Sequence, residues 1–252
     1  MTEPQPHPSG VELLEVRRVR LVEADPPRVS PEERRVMNRE WDALVAVNPS
    51  FFDGPVAVCV GAEWEAPHSL AVSWARATYR LFALRRVEGA IAWLPSLFVG
   101  VLQPTDDGRL LVGRMSPSTA APGRWQLPGG CVEPPPGDGE PLDLAALRRH
   151  AARELAEETG IETPPDDLTL WCVTRGAESN LGFLFLAPHL PPHLLHERFA
   201  ALVSSETALG RDPELDRIAL VGAPTELADL GGPLVNYLEP VVGRYADAVH
   251  GH

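Results

Sequence analysis

An α+β fold is what this sequence predicts, and three observations carry the reading. Short apolar runs recur along the chain, each closed by Gly, Pro, Asn or Asp, the pattern of strands ending in turns. Two segments carry helical signals instead: a capped start at Ser30-Pro31-Glu32-Glu33, and an apolar stripe at Leu144, Leu147, Ala151 and Leu155 that stops at Gly160. A further amphipathic run, "LVNYLEPVVGRYADAV", lies at 234–249. At 252 residues and 44% apolar content, the chain can bury a full core as one large domain or two unequal ones.

In chain order, residues 1–10 read as a disordered tail. "VELLEVRRVRLVEAD" reads as a first strand, closed by Pro26-Pro27, and the capped helix from Ser30 runs to the turn-rich loop "NPSFFDGP". "VAVCVGAEWE" and "LAVSWARATYRLF" predict two more strands, with helix after Ala77. These segments make a small α+β subdomain over 11–94. "SLFVGVLQPTDDGRLLVGRMS" reads as a hairpin around Asp106-Asp107-Gly108. The Pro/Gly-rich "VEPPPGDGEP" leads into the helix that ends at Gly160; "LTLWCVTRG" and "LGFLFLAPH" read as paired strands and "RIALVGAP" as another. The main unit is expected over 95–225, with the helix of 226–252 packed on it.

The charge balance excludes several partners. A formal net charge of −13 argues against nucleic acid or an anionic membrane, so any anionic substrate needs local Arg residues or metal ions. All 22 basic residues are Arg, which reads as the codon bias of a GC-rich genome. Cys59, Cys131 and Cys172 lie in no metal or redox spacing and predict free thiols in a reducing compartment. "MTEPQPHPSG" has no signal-peptide pattern, and "GAIAWLPSLFVGVLQPT" falls short of a membrane span. A soluble, cytoplasmic protein is expected.

The functional signal is "RELAEETGI" at 153–161. Glu154, Glu157 and Glu158 share one side of a helix, where each like-charged pair costs about 0.2–0.5 kcal/mol. They also crowd the last turn, which prefers cations. Such violations mark places where function overrides local stability. Hard divalent cations such as Mg²⁺ take carboxylate and carbonyl oxygens, so the three acids predict a metal site able to neutralise a diphosphate and activate water. A solvated acidic helix end is the bland alternative, weighted equally on these nine residues alone. Arg153, four residues before Glu157, is placed to orient it. His150, one turn before Glu154, is placed to pair with that acid without a necessary role.

Context tips the balance. "LPGG" (127–130) followed by Arg153-Glu154-Leu155 and Glu157-Glu158, then Gly160-Ile161, resembles the box of the Nudix hydrolases, G-x5-E-x7-R-E-U-x-E-E-x-G-U with U aliphatic. The resemblance covers roughly 95–225 and implies an α/β/α sandwich with a mixed sheet. It implies Arg153, Glu154, Glu157 and Glu158 as catalytic residues, and Gly130 (through its carbonyl) with the three glutamates as ligands of Mg²⁺, Mn²⁺ being a substitute. The first half of the box departs: Glu140 follows Gly130 after nine residues instead of five, and twelve instead of seven separate it from Arg153.

"NPSFFDGPV", "ATYRLFALRR" and the lengthened box are similar to the UDP-sugar diphosphatase branch, which implies hydrolysis of a UDP-sugar to UMP and a sugar 1-phosphate. ADP-ribose, another nucleoside diphosphate, or a catalytically weak nucleotide-binding module are the alternatives; a homodimer is left open. Phe52 and Tyr79 are candidates to stack on the base, although such aromatics are more often core. Arg80, Arg114, Arg124 and Arg175 are candidates to grip phosphate, although any one is more often a surface charge. Asp53 reads as a turn residue, and His189, His193 and His196 as part of a polar loop. Glu178 and Glu214 are candidates for an additional base or ligand.

Overall fold

A computed structural model describes residues 10–250 apart from 27, 91, 93, 138 and 139. The tail expected at 1–10 lies outside these residues, save Gly10. The predicted first strand is two strands with different partners. Glu12–Leu14 (β1) and Arg18–Glu23 (β2) enter separate sheets. The helix Pro31–Val47 (α1) starts where expected: Ser30 Oγ accepts the Glu33 amide at 3.2 Å, and Glu33 Oε2 accepts the Ser30 amide at 3.1 Å, a reciprocal capping box. Pro55–Ala66 (β3) and Ser69–Thr78 (β4) pair antiparallel, β2 lies parallel to β4, and a 3₁₀ helix follows at Tyr79–Arg86.

Leu97–Leu102 (β5) and Leu110–Met115 (β6) are the two strands expected of the hairpin, but they do not pair along their length. The turn closes with the Thr105 amide donating to the Arg109 carbonyl at 2.8 Å, and a single bridge joins Pro104 to Leu110. Beyond it β5 joins a four-stranded sheet and β6 a three-stranded one with Trp125–Gln126 (β7). Both strands are apolar on two faces, so tertiary partners outcompete the local hairpin.

The helix Leu144–Thr159 (α2) is capped by Asp143, which accepts the Ala146 amide at 2.7 Å, and ends at Gly160 in the left-handed region (φ 72°). Thr169–Arg175 (β8) and Leu181–Leu186 (β9) pair antiparallel as predicted; β9 runs parallel to β5, and β1 adds to the far edge of β8. The segment read as a polar loop with three histidines is helical over Pro192–Ala208 (α3). Its start has Pro in the first turn, and Leu195 and Phe199, one turn apart, are buried while His193 and His196 face solvent. Leu215–Val221 (β10) pairs with β6; the short helix Pro224–Leu227 (α4) and the helix Leu238–His250 (α5) complete the described residues.

The layers follow from strand alternation. Along β9, Leu181, Phe183 and Phe185 face the cluster holding Leu147, Ala151 and Leu155 of α2, whereas Leu184 faces the cluster holding Leu238, Val241 and Tyr245 of α5. The sheets are therefore covered by helices on two sides: an α/β/α arrangement within a mixed α+β fold. The first cluster also takes in Ala57 of β3 and Leu70, Val72 and Trp74 of β4, so the N-terminal sheet shares its core. No helix among the described residues is long and apolar enough to cross a membrane.

Candidate active site

The site is built where the loop 127–131 runs beside β5 and faces the end of α2. Val99 donates its amide to the Gly130 carbonyl at 3.0 Å and Val101 donates to the Pro128 carbonyl at 2.8 Å, so the loop lies along the strand edge. A Cβ on Gly129 would sit 2.1 Å from the Val99 carbonyl oxygen, which is why glycine is required. The Gly129 amide then points at α2 and donates to Glu158 Oε2 at 2.8 Å.

The apolar stripe of α2 sets the acids at different depths. Leu147, Ala151 and Leu155 are fully buried, and Glu158, bordering them, is 1% exposed. Its Oε1 has no hydrogen-bond partner among the described residues. Burial, then Glu214 and Glu154, hold the Glu158 carboxyl well above the usual carboxylate range. Glu154 is largely buried, with Oε1 3.0 Å from His150 Nε2. Glu157 faces out, its carboxyl raised by partial burial and by Glu154. Arg153 is centred among three acids, 3.3 Å from Glu133, 3.8 Å from Glu154 and 3.9 Å from Glu157. Its nearest acid is thus Glu133, which the sequence reading missed; the only signal for it was its place just after the "LPGG" loop.

Glu214 reaches the same cluster from the loop before β10. Burial, with Glu154 and Glu157, raises its carboxyl. It lines a cleft of about 510 Å³ together with Gly129, Gly130, Gln126 and, from the N-terminal segment, Ser50, Phe51, Phe52 and Tyr79. Asn48 fastens that segment to the opposite wall, donating from Nδ2 to the carbonyls of Ser118 (3.2 Å) and Thr119 (3.0 Å). Phe52 is 78% exposed at the rim. Tyr79 packs edge-on against Trp41 and Phe82, and burial pushes its phenol up to about 12.

The candidate arginines go elsewhere. Arg80 donates to Asp53 Oδ2 at 3.0 Å and to Asn38 Oδ1 at 3.1 Å and lies over the Trp41 ring, so Asp53 is an ion-pair partner as well as a turn residue. Arg175 is held by Glu12, tying β8 to β1, and Arg114 by Asp216. Arg124 is exposed on the loop entering β7. None of these four lines the cleft. Glu140 is exposed beside Gly137, within the lengthened part of the box, and Glu178 is exposed in the turn after β8. Burial pushes the thiols of Cys59 and Cys131 up to about 11 and that of Cys172 to about 12, which makes them poor nucleophiles.

The donor set fits a hard divalent cation. The unpartnered Glu158 Oε1, the Glu154 carboxylate against Gly130 and the outward Glu157 are oxygen donors whose repulsion such a cation relieves. The Gly130 carbonyl keeps a second lone pair beside its bond from Val99. Among the described residues, no three acidic, His or Cys side chains are already drawn together tightly enough to hold a metal ion.

The helix and loop bring clustered carboxylates beside a glycine-lined cleft, the kind of site that metal-assisted hydrolysis needs. The NUDIX domain matches residues 96–231, more than half of the chain, and the chain belongs to the Nudix family. It is a Nudix hydrolase, of a family that uses divalent cations and acts on nucleoside diphosphates linked to another moiety. Among solved structures, it is similar to the MutT protein of Methanosarcina mazei Go1, 22% identical over 63% of this chain and 97% of that one, with a TM-score of 0.41. It is also similar to a MutT NUDIX hydrolase from Burkholderia pseudomallei (23%, 59% and 95%, TM-score 0.36) and to a NUDIX hydrolase from Nitrosomonas europaea (19%, 62% and 73%, TM-score 0.39). No curated protein matches the chain.

Proposed function

We propose that the chain is a Mg²⁺-dependent pyrophosphohydrolase, with Mn²⁺ as a substitute, that splits a UDP-sugar into UMP and a sugar 1-phosphate. One observation carries the metal dependence. Four carboxylates, Glu154, Glu157, Glu158 and Glu214, the first raising the proton affinity of the other three, gather beside a cleft that Glu214, Gly129 and Gly130 line and among whose described lining residues none is basic. A diphosphate approaching these acids meets more negative than positive charge, since Arg153 is the one arginine that the described residues set among them and it is shared by Glu133, Glu154 and Glu157. A cation held by Glu154, Glu157, Glu158 and the Gly130 carbonyl offsets the remainder. When bound, a divalent cation neutralises the diphosphate and polarises its phosphorus towards water.

The chain's own residues prepare that site. The Gly129 amide fixes Glu158 behind the glycine loop that lines the cleft, Arg153 lies 3.8 Å from Glu154 and 3.9 Å from Glu157, and Glu214 supplies a carboxylate from outside the box. Support for the UDP-sugar comes from the two N-terminal stretches that carry the resemblance. "NPSFFDGPV" and "ATYRLF" contribute Ser50, Phe51, Phe52 and Tyr79 to the cleft, where an exposed Phe52 ring offers a face for a base. The net charge of −13 supports a small-molecule substrate over nucleic acid or membrane.

The test compares UDP-glucose, ADP-ribose, NADH and coenzyme A at equal concentration, with Mg²⁺ and with chelator. UDP-glucose is expected to turn over fastest, and only with the metal. A tenfold preference for ADP-ribose or coenzyme A, about 1.4 kcal/mol in transition-state binding, overturns the substrate while leaving the family intact.

A further inference from the structure

We infer that His150 is a positioning residue of this site, holding Glu154 in the orientation a cation uses and presenting Arg153 to the neighbouring acids. The inference rests on the metal-dependent reading above. His150 is only 7% exposed, one turn before Glu154 on α2, so its ring cannot swing out to solvent. Arg153 Nη2 lies 3.1 Å from His150 Nδ1. A guanidinium only donates, so Nδ1 must offer its lone pair, and the ring proton of the neutral imidazole sits on Nε2.

That Nε2 faces Glu154 Oε1 at 3.0 Å, out of line for a regular hydrogen bond and with no other partner among the described residues. The other oxygen of Glu154 is confined by the loop: Oε2 lies 2.6 Å from where a Cβ on Gly130 would be. The carboxylate is thus bracketed by a ring on one side and a glycine on the other, with one donor held in reserve as it turns towards a cation. The same ring steadies Arg153, which is mostly free of other strong contacts and otherwise relies on pairs of 3.3–3.9 Å. A histidine here links two box residues, whereas an alanine would link none. Losing a group that orients a metal-binding side chain in this manner typically costs about 10–100-fold in metal affinity or activity.

The experiment titrates Mn²⁺ alone, without substrate, into the metal-free full chain and reads free Mn²⁺ by electron paramagnetic resonance, with melting of the metal-free proteins alongside. His150→Leu is expected to weaken Mn²⁺ binding about 10–100-fold. His150→Gln, whose amide nitrogen reaches the position of Nε2, should recover most of it. His150→Asn, which reaches only the Nδ1 position, should not. Any other ranking of the Gln and Asn variants overturns the inference, even if His150→Leu fails to fold, and so does a folded His150→Leu that binds as wild type does. A merely structural histidine would shift the melting temperature and leave Mn²⁺ affinity unchanged. Glu154→Gln separates the two readings: if wild type takes up no Mn²⁺, or Glu154→Gln binds equally well, the metal site itself fails and the role of His150 with it.

Discussion

Glu158 concentrates the conflict between stability and function in a single side chain. It is buried, one of its oxygens is unpartnered, and three other carboxylates raise its proton affinity. In the folded, metal-free protein its carboxyl titrates above its unfolded value of 4.5, so the native state holds more protons than the unfolded state between those two values. Stability is then fully present below the unfolded value and falls as pH rises through the folded one. Melting in chelator from about pH 5 to 8 should show wild type losing stability with pH more steeply than Glu158→Gln, which cannot ionise. The same variant, and Glu157→Gln, should lose turnover while staying folded. Parallel pH profiles for wild type and Glu158→Gln, or unfolding of the metal-free variants, would remove Glu158 from the account.

At the scale of elements, the loop 127–131 and helix α2 form one device. Two adjacent glycines test it differently. A Cβ at Gly129 meets backbone, 2.1 Å from the Val99 oxygen, and nothing can yield; Gly129→Ala should destabilise by about 2–4 kcal/mol, read by chemical denaturation. A Cβ at Gly130 meets only the tip of the Glu154 side chain, so Gly130→Ala should fold and lose activity. Equal stability losses would contradict this division. The device was legible in the sequence because its signals are local: the stripe from Leu144 to Leu155, the stop at Gly160 and the spacing of three acids need no distant partner. The misread elements are those decided at a distance. The turn at Asp106-Asp107-Gly108 is real, yet β5 and β6 take partners far along the chain. Arg175 looked available for phosphate because Glu12, 163 residues away, gives no local sign. α3 was hidden because only Leu195 and Phe199 of its first two turns are buried, and His189, Pro191, Pro192, His193 and His196 crowd its start.

Across the whole molecule, the N-terminal sheet and the Nudix portion share one apolar cluster, with Leu70, Val72 and Trp74 beside Leu147 and Leu155. Calorimetry should therefore show one unfolding transition with equal calorimetric and van't Hoff enthalpies, and a fragment of residues 95–252 should not fold alone. Two separated transitions would show independent domains. The placement of β1 has a further consequence, for synthesis. Glu12 leaves the ribosome 163 residues before its partner Arg175, an interval of roughly 8–33 s at about 5–20 residues per second. Throughout that interval the strand has nothing to pair with, and once β8 emerges its edge stays open until β1 docks. The nascent chain thus completes its catalytic sheet by bringing in one of its oldest segments, and a slow or stalled ribosome lengthens the time in which that segment is available to other chains.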